Sequence, residues 1–175
     1  MSHPLPIHFR SVDIDSLPNL KGRITVFVDG PKGAGATVRR LDRLTKGALS
    51  RFLNSEDFGR MKPGDATDLA WPAGLQADVL QVVRLPRRAD VQQARKAGAA
   101  VGRVLGPHGA TVIAEAHPQA AEIAFGLAMR AYEFSTHKTG DKKEIGPVVL
   151  MVANPETVAA AATAGAAVAE GVFFT

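Results

Sequence analysis

Cysteine is missing from all 175 residues. That absence excludes disulfides, thiolate metal centres and a cysteine nucleophile, and it fits a reducing cytoplasm. Aromatic residues are scarce, at 6% with one Trp and one Tyr, and none is interleaved with the basic residues from Arg84 to Arg103, so that stretch offers no stacking platform for bases. Apolar runs stay below the roughly 18 residues that suggest a membrane helix, apart from a C-terminal tract. That tract is mostly alanine, with Thr157 and Thr163 inside it, and is too weakly hydrophobic to insert well. The opening Met1-Ser2-His3-Pro4-Leu5-Pro6 has no basic stretch leading into an apolar one, so it does not read as a signal peptide.

The rest of the composition is that of a water-soluble globular domain, 46% hydrophobic and 22% charged. The length suits one domain with a sizeable core. A net charge of +4 with a pI near 9.7 admits an anionic partner, but an Arg-rich solvated surface accounts for it better.

Short β-branched runs alternate with helical periods, which predicts an α/β fold with a mostly parallel or mixed sheet sandwiched by helices. The runs Ile24–Val28, Val79–Val83, Thr111–Ala114 and Val148–Val152 are nearly continuous in apolar residues, as strands covered on both faces should be. Ile7–Arg10 adds a strand near the N-terminus. Asp65–Trp71 follows Pro63-Gly64 and alternates, so it reads as an edge strand or extended loop. A helical stripe runs from Val38 through Leu41, Leu44, Ala48 and Leu49 to Phe52, with Asp42 and Lys46 at i,i+4. Asp90 and Gln93 form a capping-box pattern for a helix that ends at Gly106-Pro107. Pro118 opens a third helix to about Phe134, and Thr136–Gly146 reads as a solvated, lysine-bearing loop.

Chemistry is harder to find. Gly30-Pro31-Lys32-Gly33-Ala34-Gly35-Ala36-Thr37 has the spacing of a phosphate-binding loop, but Ala36 stands where the essential lysine belongs. A dinucleotide fingerprint fails as well, at Val38. What survives is a strand-to-helix loop whose backbone N–H groups can hold an anion. His3, His8, His108, His117 and His137 show no metal-ligand spacing, and turn or cap roles suit His108 and His117. Asp13 and Asp15 lie on one side of an extended segment, where solvation explains them better than acid–base work. Arg84, Arg87, Arg88, Arg95, Lys96 and Arg103 form the densest basic group, able to meet a nucleic-acid backbone. No residue is put forward as catalytic, cofactor-binding or metal-binding.

The C-terminal segment is the most telling. Asn154 reads as a helix N-cap, Pro155 as its first residue and Glu156 as part of the first turn. The following Thr157–Ala169 is apolar all round and calls for cover on every side. A chain closing on Val172-Phe173-Phe174 therefore reads as a piece of something larger. Residues 1–153 are expected to form one α/β domain and 154–175 a helix leading out of it.

Ala169-Glu170-Gly171-Val172-Phe173-Phe174-Thr175 also resembles the segment that joins the N-terminal and catalytic domains of leucyl (cytosol) aminopeptidases. Ala124–Phe134 with His137-Lys138-Thr139 is similar to that family's aromatic-rich helix end, and Leu41–Leu53 resembles its early helix. Order and spacing agree across all three. Ser135-Thr136-His137 and the strand end Val83-Arg84-Leu85-Pro86 depart from the family's usual residues. The resemblance implies a macro-domain-like α/β sandwich that is not itself catalytic. It further implies a parent metalloaminopeptidase, a hydrolase releasing N-terminal amino acids from peptides in the cytoplasm with two divalent zinc or manganese ions. Those ions would sit in a C-terminal catalytic domain, because the family's Asn-Thr-Asp-Ala-Glu-Gly-Arg metal signature does not occur here. The domain's partners would be that catalytic domain and the other copies of a hexamer, at whose periphery it shapes access to the active sites; certain bacterial relatives also contact DNA with it. Two other expectations stay open: a stand-alone macro-like module holding ADP-ribose or a similar anion at Gly30–Thr37, and a DNA-binding regulatory domain using Arg84–Arg103.

Overall fold

Six strands form where β-branched residues cluster: β1 (Ile7–Arg10), β2 (Arg23–Val28), β3 (Ala66–Ala70), β4 (Val79–Arg84), β5 (Ala110–Glu115) and β6 (Val148–Val152). The structure, a computed structural model, describes residues 7–32, 34–136 and 144–173. The strands make one sheet in the order β1-β6-β5-β2-β4-β3, parallel throughout except for antiparallel β3 on the edge. The expected mixed α/β sheet is thus present, and Asp65–Trp71 resolves into an edge strand.

Between the strands lie a 3-10 helix (Ile14–Asn19) and the helices α1 (Ala36–Leu44), α2 (Ala48–Leu53), α3 (Glu56–Arg60), α4 (Val91–Gly102), α5 (Ala120–Thr136) and α6 (Pro155–Phe173). Strand side chains alternate between two cores. Ile24, Val26, Leu80, Val82, Ile113 and Met151 pack with Leu17, Leu41, Leu49 and Phe58 under the 3-10 helix and α1–α3. Val83, Val112, Leu150 and Val152 pack with Ala94, Val101, Ile123 and Leu127 under α4 and α5. On this second face the buried Thr25 hydroxyl donates to Gln81 Oε1 (2.8 Å), and Gln81 Nε2 donates to the carbonyl of Ala100 in α4 (3.4 Å). Helices α4 and α5 meet backbone to backbone at glycines. A Cβ on Gly98 would collide with the Ile123 carbonyl oxygen and stand 2.8 Å from Leu127 N, and one on Gly102 would stand 2.6 Å from Leu127 O.

Several elements differ from expectation. The stripe from Val38 to Phe52 is two helices, because Lys46 and Gly47 take positive φ (54° and 81°) and turn the chain. Thr45 Oγ1 closes α1 by donating to the Leu41 carbonyl (2.8 Å). Asp42, expected opposite Lys46, instead accepts from the Ser50 N–H (2.8 Å) and hydroxyl (2.5 Å), tying α2 to α1. Of the expected extended segment Asp13 stays extended as an N-cap, while Asp15 lies in the 3-10 helix Ile14–Asn19, with Ser16 Oγ donating to the Asp13 carbonyl (2.8 Å). The capping box is formed: the Gln93 N–H donates to Asp90 Oδ1 (2.7 Å) and the Asp90 N–H to Gln93 Oε1 (3.1 Å). Helix α4 stops at Gly102, short of Gly106, and a turn drops Leu105 into the core. Helix α5 starts at Ala120 because Pro118 and Gln119 belong to a turn closed by Ala120 N–H donating to the His117 carbonyl (3.1 Å). The loop expected at Thr136–Gly146 falls mostly outside the described residues. Along α6, Val158 and Ala162 pack on the second core, while Ala160, Ala161 and Ala164 are exposed.

Candidate functional site

The chain leaves β2 for β3 and β4 on one side and returns to β5 on the other, so its path along the sheet reverses around β2. In open α/β sheets ligands bind beyond the carboxyl ends of the strands at such a reversal. A cleft of about 200 Å³ lies there, walled by the ends of β2, β4 and β5 and by the Gly30–Thr37 loop. Val28, Leu85 and Ile113 give it an apolar floor, and Asp29, Lys32 and Arg87 stand exposed around it.

Glu115 ends β5 at a bulge with φ of 49°, its carbonyl accepting from Ala153 N–H (3.0 Å). Gly35, the N-cap of α1, lets the Glu115 carboxylate approach; a Cβ at position 35 would stand 2.8 Å from Glu115 Oε2. The carboxylate therefore rests at the electropositive end of α1, where it is favoured. Thr37, in the first turn of α1, borders the cleft with its hydroxyl buried and without a hydrogen-bond partner.

His117 closes one side. Its Nδ1 accepts from the Gln119 N–H (3.1 Å), which leaves Nε2–H to donate to the Pro86 carbonyl (3.0 Å). Burial holds its pKa below the usual 6.5, the bond to Pro86 opposes this, and nearby Arg87 adds to the lowering. With both ring nitrogens engaged, His117 links the β4 and β5 ends rather than acting as a base. The cleft offers binding groups but no nucleophile hydrogen-bonded to a base.

The basic group splits three ways. Arg84 Nη1 donates to the carbonyls of Phe58 (3.1 Å), Gly59 (3.4 Å) and Met61 (2.7 Å), closing α3, and the guanidinium lies over the Phe58 ring. Arg87 borders the cleft. Arg95, Lys96 and Arg103 line a groove between α4 and α5 together with Arg130. There Arg95 pairs with Glu122 (2.7 Å) over the Phe125 ring, and Lys96 with Asp65 (3.4 Å). Among the described residues no three His, Asp or Glu gather to hold a metal, and no helix is long and apolar enough to cross a membrane.

The three-layer sheet with its cleft defines a macro-domain-like α/β fold. Solved structures agree: a mutant Oceanobacillus iheyensis macrodomain superposes with a TM-score of 0.63 at 10% identity, over 94% of this chain and 90% of that one. The Trypanosoma brucei macrodomain in complex with ADP-ribose gives 0.61 at 12% identity, over 89% and 67%. At such identities the likeness is one of fold.

Sequence comparison is more specific. Residues 24–141 match the cytosol aminopeptidase family, N-terminal domain, and this chain belongs to that family. It is 51% identical over its whole length to a probable cytosol aminopeptidase of Cereibacter sphaeroides and 38% identical to one of Dinoroseobacter shibae. In both cases it spans only 36% of the relative's length.

Proposed function

We propose that this chain is the N-terminal, non-catalytic domain of a metal-dependent leucyl aminopeptidase. The parent hydrolyses the first peptide bond of short peptides in the cytoplasm, using two zinc or manganese ions held by its catalytic domain. Two metals in such an enzyme activate the attacking water and stabilise the developing oxyanion. The observation that carries the reading is the match to a family's N-terminal domain, coupled with coverage of 36% of relatives named as aminopeptidases. The domain serves hexamer assembly and access to the active sites.

Two measurements test this. The 175-residue chain should not hydrolyse leucine-p-nitroanilide with added manganese or zinc; metal-dependent turnover overturns the reading. Deleting residues 1–153 from the full-length enzyme should change the number of subunits per particle, read from light-scattering mass against the truncated subunit's mass, or its discrimination between short and long peptides. If neither changes, the assembly and access role is wrong. A second reading, contact with DNA, draws on the groove that gathers Arg95, Lys96, Arg103 and Arg130. A gel shift at two salt concentrations decides it, since phosphate-backbone binding must weaken steeply with salt.

A further inference from the structure

The cleft beyond β2, β4 and β5 holds a carboxylate set beside the N-terminal end of α1. Glu115 is half-buried, and among the described residues no side chain forms an ion pair with it. It stands beside Gly35, the N-cap of the helix end that a phosphate from solution would seek. A polyphosphate would meet a like charge there, so the ADP-ribose expectation for Gly30–Thr37 has an obstacle built into the site. The volume points the same way: about 200 Å³ is below the roughly 300–1,000 Å³ of pockets that enclose drug-sized ligands.

What the cleft offers is balanced charge around an apolar floor. Asp29 and Glu115 stand against Lys32 and Arg87, and Val28, Leu85 and Ile113 lie beneath. The Thr37 hydroxyl beside them is buried and unpartnered, and a buried hydroxyl in that state costs about 1–3 kcal/mol. A ligand that supplied a polar hydrogen or lone pair to it would recover part of that.

We infer that this cleft binds a small free α-amino acid with an apolar side chain, its ammonium on Glu115, its side chain on the Val28–Leu85–Ile113 floor and its carboxylate toward Lys32 and Arg87. A zwitterion matches a site of no net charge, and an ammonium is the group that a half-buried carboxylate without a cationic side-chain partner recognises. Gly35 leaves room for this placement of Glu115, since a Cβ there would push the end of its carboxylate aside. The inference stands on the cleft alone and does not depend on what the parent enzyme hydrolyses.

Titration calorimetry of the whole chain with leucine, leucinamide, N-acetyl-leucine and inorganic pyrophosphate tests it. Leucine should bind, and each blocked analogue should bind about tenfold more weakly, having lost one charge-assisted contact. Glu115→Gln, which keeps the side chain's shape, should weaken leucine by about tenfold or more while the thermal melt confirms folding. If that variant does not fold, Lys32→Ala with Arg87→Ala must remove the preference for leucine over leucinamide. No heat with leucine, equal binding of N-acetyl-leucine, or pyrophosphate binding to the unaltered chain would overturn the assignment.

Discussion

Adding one methyl group at Gly98 should disturb the close backbone contact between α4 and α5. In isolation Gly→Ala within a helix gains about 1 kcal/mol from propensity. At Gly98 the new Cβ would collide with the Ile123 carbonyl and come within 2.8 Å of Leu127 N and 2.9 Å of Ile123 C. These obstacles are backbone, so relief requires α4 and α5 to separate, loosening Ala94, Val101, Ile123 and Leu127 around them. Overpacking of this kind costs about 1–3 kcal/mol and sometimes more, and here nothing flexible can yield. The net expectation is a loss of about 1 kcal/mol, or about 2–4 °C in Tm at this chain length. Gly59 is the control: it is exposed in α3, and a Cβ there meets nothing within 4 Å. Gly59→Ala should be neutral or mildly stabilising. Urea melts of both variants beside the unaltered chain decide the matter. A Gly98→Ala protein as stable as Gly59→Ala would refute the claim that the helices touch through their backbones.

Three further outcomes follow from particular contacts. Arg84→Met removes a charged donor from three carbonyls and should lower stability by about 2 kcal/mol in a urea melt; an unchanged midpoint would mean the guanidinium does not close α3. Thr25→Val alone strands the Gln81 carbonyl oxygen and should cost about 1–3 kcal/mol, whereas Thr25→Val with Gln81→Leu should recover much of the loss; additive losses would show that the pair is not the interaction that matters. His117 is harder to protonate folded than unfolded, so its contribution is full above its usual value of 6.5 and falls with pH toward the lower folded value. The urea midpoint should drop across that window in the unaltered chain and drop less in His117→Gln, and matching pH profiles would exclude the role.

The sheet was legible because its strands carry the signature of burial on both faces: Val79–Val83 and Val148–Val152 have few polar positions to confuse the period. The capping box at Asp90 and Gln93 was legible for a local reason, since four consecutive residues contain all of its partners. The break at Thr45–Gly47 was not, because Leu41, Ala48 and Phe52 keep a helical spacing across it, and Gly47 is a weak local signal against that period. The cleft was half visible. The glycine-rich loop drew notice, but Glu115 lies eighty residues from Gly35 in sequence, and no local pattern joins them. The basic group misled for the same reason, since only the fold reveals that Arg84 is consumed by α3.

The sheet also acts as a partition. The side chains beneath α1–α3 and those beneath α4 and α5 touch strands from opposite sides and share only the peptide planes between them. Damage on one side should therefore be felt weakly on the other, so that paired truncations such as Leu41→Ala and Leu127→Ala sum almost independently. Evolution could retune the wall that carries the α4–α5 groove without disturbing the compartment beneath α1, and the reverse.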